Sequence, residues 1–151
     1  MAASIDVRST AFPANAAIPA RHTCTGADVS PPLSWTGVPA GAKSLALTVI
    51  DPDAPGHPFT HWVVFGIPPS TADVPEGGPP PSGATEGRND FGSTSYRGPC
   101  PPPGSPHHYH FRVYALDTTL ALRSGATESA FEAAIKGHVL ASGELVGTFR
   151  R

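Results

Sequence analysis

The sequence predicts a mainly β protein, a sandwich of strands with one or two peripheral helices. Most apolar runs are short, rich in β-branched and aromatic residues, and bounded by Gly or Pro, which is how strands are punctuated. Strands come first and one helical pattern comes late, an order that suits packed β layers with a helix outside them. The 19 prolines and 16 glycines in 151 residues stay just under the roughly 25–30% that marks low-complexity disorder. A folded, loop-rich chain is therefore expected.

The elements follow in order. Residues 4–9 alternate weakly and suit an edge strand. Ser30-Pro-Pro-Leu-Ser-Trp35 is held extended by its prolines, with Trp35 as a core anchor. Residues 43–50 form a buried-type strand that runs directly into Asp51-Pro52. His61-Trp-Val-Val-Phe-Gly-Ile67 is the strongest strand pattern and is stopped by Pro68-Pro69. From Pro68 to Asn89 the chain is mostly Pro, Gly, Ser and Thr, read as a long surface connection. Residues 109–116 form a third central strand. Residues 127–136 carry the one convincing helix, with Thr127 as N-cap and Phe131, Ala134 and Ile135 on one face. Gly137 ends it, and residues 144–149 return as a strand. No internal repeat is present.

The chain reads as a single domain over residues 1–151. Its formal charge of −2, with no basic run, makes nucleic acid and anionic membranes poor partners. No segment has the length of a transmembrane helix, and the N-terminus has neither a long apolar h-region nor a clear cleavage signal. A cytoplasmic protein without integral membrane association is the expectation. Cys24 and Cys100 lack metal-ligand spacing. They are either two reduced thiols or one disulfide joining two loops, and spacing alone does not choose between these.

The residues that carry chemistry lie where strands end. Asp51 and Asp53 are two apart and would share a face in an extended segment. His61 opens the next strong strand, and His107 and Tyr109 stand at the mouth of the third. In Gly98-Pro-Cys-Pro-Pro-Pro-Gly-Ser-Pro-His107 the five prolines contribute no N–H, whereas Gly98, Cys100, Gly104, Ser105 and His107 do. An anion could meet a few fixed backbone donors there, with the histidines beside them. The Asp side chains then serve to orient His, or accept from an amine or a protonated phosphate oxygen. Each piece has a plainer reading: Asp-Pro-Asp-Ala-Pro suits an Asx-type turn, and a single His is commonly structural. His108 and His110 point away from His107 in a strand, so no metal site is expected. No Gly-x-Ser-x-Gly occurs and no helix N-terminus activates Cys100, so no catalytic residue and no cofactor are expected.

Asp51-Pro-Asp-Ala-Pro55, His61-Trp-Val-Val, Gly98-Pro-Cys-Pro-Pro-Pro-Gly and His107-His-Tyr109 closely resemble the phosphatidylethanolamine-binding protein family, the Raf kinase inhibitor-like proteins, in its short prokaryotic branch. Thr23-Cys-Thr-Gly-Ala-Asp-Val-Ser-Pro-Pro-Leu-Ser-Trp35, Asn89-Asp-Phe-Gly92 and Gly137-His-Val-Leu-Ala141 extend the likeness over nearly the whole chain. The resemblance implies a large central sheet packed on a smaller one. It also implies a pocket for phosphate, phosphoethanolamine or similar anionic groups. Carried over by position, the pocket uses Asp51, Asp53, Pro55 and His61, then Gly98, Cys100, Pro101, His107 and Tyr109. A homodimer is implied too, and the Cys24–Cys100 disulfide gains weight because Cys24 falls in a branch-typical loop. Three departures matter. Only Gly56-His-Pro-Phe-Thr60 separates the first motif from His61, the helical extension of longer relatives does not follow Arg151, and Cys stands at 100 where many members have a smaller residue. Kinase inhibition therefore transfers poorly. The resulting expectation is a non-catalytic binder of small anions that modulates a phosphorylated partner. Two alternatives accompany it: a serine protease or kinase inhibitor presenting Pro68–Pro81, and a hydrolase or isomerase using the Asp/His set.

Overall fold

The two unbroken apolar runs of the sequence lie in the middle of the larger sheet, where both faces are covered. A computed structural model describes residues 3–151. Its strands are β1 (Ala3–Ser4), β2 (Asp6–Arg8), β3 (Leu33–Thr36), β4 (Ser44–Asp51), β5 (Phe59–Ile67), β6 (Asp73–Val74), β7 (Thr85–Glu86), β8 (His107–Leu116) and β9 (Val139–Phe149). One α-helix, α1 (Glu128–Ile135), and one 3₁₀ turn (Ala20–His22) are also present among the described residues. The larger sheet has the order β1-β9-β8-β4-β5-β7, and β2-β3-β6 form the smaller one. This is the mainly β, two-sheet architecture with a peripheral helix that the sequence predicts.

Alternation assigns the layers. Leu45, Leu47 and Val49 of β4, with Tyr109, Phe111, Val113 and Ala115 of β8, face the smaller sheet and meet Val7, Leu33, Trp35 and Val74. Ala46, Val63, Phe65, Tyr114 and Leu116 face the other way and are covered by Phe131 and Ile135 of α1. Strands buried on both faces lose the polar alternation of a half-exposed sheet. The helix begins where expected, because the Thr127 hydroxyl accepts the Ala130 N–H. Ala134 is only half-buried.

Three readings are refined. Residues 4–9 do not form one edge strand. Ser4 pairs with β9 in the larger sheet, whereas Asp6–Arg8 pair with β3 in the smaller one, and the chain crosses at Ile5. The last strand starts at Val139, five residues before the expected 144. Gly143 hid it, and the backbone requires Gly there: a Cβ at 143 would stand 1.6 Å from the Ile5 carbonyl oxygen. The Pro68–Asn89 connection contains β6 and β7, each too short to be read from its own residues because each exists through pairing with β3 or β5. Its Pro68–Pro81 part is pinned to the body by β6, by the Gly77 N–H to Ser30 carbonyl bond, and by the Arg21–Glu76 ion pair.

Candidate functional site

His61 reaches the functional face because β5 is irregular. In β5, Val63 and Phe65 point toward the helix, and strict alternation would send His61 with them. Val49 pairs with Trp62 but the next residue, Ile50, pairs with Thr60, so His61 is an extra residue on β5. Such a bulge re-aims a side chain. It turns the His61 ring toward the sandwich side, 5.3 Å from the Tyr109 ring and 5.0 Å from Phe59.

The bulge, the 51–55 turn and the proline loop enclose a cavity of about 210 Å³, lined by Asp51, Ala54, Pro55, Phe59, His61, Phe91, Cys100, Pro101, Pro102, His107 and Tyr109. Asp51 is the buried carboxylate, 3% exposed. Its Oδ2 accepts from His107 Nδ1 at 2.6 Å, and its Oδ1 accepts the Asp53 N–H at 2.8 Å. His61 Nδ1 donates to the Arg97 carbonyl at 2.7 Å, which leaves Nε2 as the acceptor of a neutral ring. Burial lowers the His61 pKa against the opposing effects of the Arg97 carbonyl and the Asp51 charge. Burial, then the Asp51 charge, raises the Tyr109 hydroxyl far above its ordinary value, so it stays a hydrogen-bond donor. The aromatic wall is continuous: Phe91 stands edge-on to Phe59 at 4.8 Å and to His61 at 5.5 Å.

Seven of the nine expected pocket residues line this cavity: Asp51, Pro55, His61, Cys100, Pro101, His107 and Tyr109. Asp53 and Gly98 do not. Asp53 sits in a turn, so it does not share a face with Asp51. Its carboxylate accepts from the ring Nδ1 and the backbone N–H of His108, and these bonds lower its pKa. Gly98 gives its N–H to Asp28 Oδ1 at 2.9 Å, away from the cavity. Its task is close packing, since a Cβ there would stand 2.2 Å from the His22 carbonyl oxygen. The proline loop is also tied by the Cys24 N–H to Pro99 carbonyl bond and by a Cys24–Cys100 disulfide, 2.07 Å between sulfurs. Of the two readings of the cysteines, the structure has the bridged one. No group of three or more His, Cys, Asp or Glu able to hold a metal ion occurs among the described residues.

A family model described as phosphatidylethanolamine-binding protein matches residues 8–150. The chain belongs to that family. A UPF0098 protein of Methanothermobacter thermautotrophicus is 50% identical over 151 residues, covering 97% of this chain and 99% of its own. LppC of Mycobacterium tuberculosis, named as a lipoprotein, is 42% identical over 146 residues, covering 96% of this chain and 70% of its own. Among solved structures, YbcL of Escherichia coli, described as a member of the mammalian PEBP family, superposes with a TM-score of 0.92 at 35% identity. That match covers 98% of this chain and 99% of YbcL.

Within this phosphatidylethanolamine-binding protein homologue, sequence reasoning missed Phe59, Phe91, Ala54 and Pro102. Phe59 was hidden because β5 starts two residues before His61. Phe91 is 39% exposed, one of the two exposed large hydrophobics among the described residues. An aromatic inside Asn89-Asp-Phe-Gly92 was the available signal. The buried Asn89 takes the Phe91 and Ser93 N–H groups on Oδ1 and donates to Ser93 Oγ and the Ser95 carbonyl. Asp90 clasps Thr60 in the bulge through backbone and carboxylate. Phe91 is thereby delivered to the rim.

Proposed function

We propose that the cavity binds a small anionic group of the phosphate or phosphoethanolamine type and does not turn it over. The observation carrying this reading is the convergence of His107, His61 and Tyr109 on a cavity of about 210 Å³ in which both oxygens of the only carboxylate are engaged. Such a volume lies below the roughly 300–1,000 Å³ of drug-sized sites and suits a head group. Tyr109 is a permanent donor, His61 accepts from a protonated phosphate oxygen or donates once protonated, and Asp51 fixes the His107 ring.

The test is an amide NMR titration with inorganic phosphate and with O-phosphoethanolamine at millimolar concentration. Saturable shifts at His61, Cys100 and Tyr109, lost in His107→Ala, are expected, with no phosphate released from phosphoethanolamine. Absence of saturable shifts in the parent protein would reject the reading. No helix of the described residues is long and apolar enough to cross a membrane. The disulfide favours an oxidising compartment over the cytoplasm expected from the sequence, in keeping with a lipoprotein name on one relative. Thiol trapping in whole cells separates these: protection of both cysteines from alkylation supports the oxidising compartment. The homodimer implied by the family likeness is tested by the mass of the protein in solution.

A further inference from the structure

The cavity offers an anion one buried carboxylate and no lysine or arginine among its lining residues. Uncompensated, Asp51 would repel the ligand proposed above. A positive charge lies just beyond the lining. On β9, His107 pairs with Phe149 and Tyr109 with Gly147. Arg151 follows two residues after Phe149, the partner of His107. Beyond β9, the Arg151 backbone carbonyl accepts the Gly104 N–H at 3.2 Å. Its Nε donates to the carbonyl of Pro101, a lining residue, at 2.6 Å. Backbone and side chain are thus both fastened to the proline loop, and no carboxylate pairs with this guanidinium among the ion pairs of the described residues. Its charge is felt inside, where it counters the effect of Asp51 on the Tyr109 hydroxyl. Arg97, the other guanidinium near the rim, sits 4.8 Å from the Phe91 ring centroid but is already shared with Asp28.

We propose that Arg151 is a positioning residue for the anion, fixed by Pro101 and Gly104 so that its positive charge offsets Asp51 at the cavity mouth. This rests on the anion-binding reading. One guanidinium nitrogen is committed to Pro101, and the fork's remaining N–H groups are free to donate to a phosphoryl oxygen.

The experiment compares inorganic phosphate binding by the parent protein, Arg151→Gln and Arg151→Lys, each by NMR titration at low and at physiological salt, with thermal melts run on all three. Arg151→Gln is expected to bind phosphate roughly tenfold more weakly, the size of one charge-assisted hydrogen bond, and to lose most of the salt dependence. Arg151→Lys keeps the charge and is expected within about threefold of the parent, with salt dependence retained. Equal affinity in Arg151→Gln and the parent overturns the proposal and leaves the pocket reading standing. Equal weakening in both variants, with salt dependence unchanged, also overturns it, because the guanidinium would then act only as a brace for Pro101. Absence of saturable binding in the parent removes the pocket reading and this proposal with it.

Discussion

His61 is buried to 3% exposure, and its proton count is the most informative quantity in the cavity. Its pKa is lowered chiefly by burial, so the free protein holds a neutral ring at pH 7. A bound anion favours the protonated ring, so binding takes up a proton; affinity rises as pH falls through the pKa of the complex and levels off below the lowered pKa of the free protein. Sulfate isolates the effect because it does not itself titrate in this range. Its affinity is expected to rise between pH 7 and 5, by at most about tenfold per pH unit for one linked proton, and a pH-independent sulfate titration would remove His61 from the ligand contacts. Gly98 poses the opposite kind of question. It does not line the cavity, yet an added Cβ meets the His22 carbonyl at 2.2 Å and Asp28 Oδ1 at 2.5 Å. Gly98→Ala is expected to cost about 1–3 kcal/mol as overpacking, read as a lower urea midpoint, and to displace the loop that presents Cys100 and Pro101.

The central strands were legible because β4, β5 and β8 carry apolar residues on both faces, and a pattern so dense has few alternatives. The β5 bulge was not legible. Alternation is a rule about regular pairing, and only the register between β4 and β5 shows that His61 is the inserted residue. The short strands β6 and β7 were beyond reach for a related reason, since two residues have no period. Asp53 and Gly98 were assigned to the pocket by motif position, whereas hydrogen bonding sends one to His108 and the other to Asp28. The proline loop was legible as a rigid wall, but its attachment was not. Five ties join it and the residues just before it to the 22–28 segment: the disulfide, the Gly98 N–H to Asp28, the Cys24 N–H to Pro99, the Tyr96 hydroxyl to the His22 carbonyl, and the Arg97–Asp28 ion pair. The bridged cysteines are 76 residues apart, so the bridge restricts a long stretch of the unfolded chain. Reduction, or Cys24→Ser, is expected to cost about 2–4 kcal/mol, measured as a lower denaturation midpoint. Three hydrogen bonds and the Arg97–Asp28 ion pair survive, so the circular dichroism spectrum at room temperature should stay unchanged. Equal midpoints with and without reductant would mean that these remaining ties alone set the loop.

At the scale of the molecule, two groups on opposite sides of the larger sheet contribute to the pH dependence of stability between pH 4.5 and 7, and they act in opposite directions. His61, on the sandwich side, has a lowered pKa, so the unfolded chain binds its proton first and stability falls as pH drops below 6.5. Glu128, in the first turn of the helix packed on the other face, has its pKa raised from 4.5 to about 7. Burial is the leading cause, followed by the hydrogen bond and charge of Glu132 one turn later. The folded state therefore holds the Glu128 proton when the unfolded state has lost it, and stability falls as pH rises from 4.5 through 7. Together the two flatten the profile across this window. Glu128→Gln removes one side of the balance. It cannot ionise, so it relieves the repulsion with Glu132 and Asp90 at neutral pH and should stabilise the protein at pH 7.5, on the order of 1 kcal/mol for a partly solvated group. In that variant acidification from pH 7 to 5 should lower the melting temperature, because the His61 contribution is no longer offset. A parallel pH profile in the variant and the parent would show that Glu128 titrates as an ordinary surface carboxylate, and that the helix docks on its face of the sheet through Phe131 and Ile135 without an electrostatic cost.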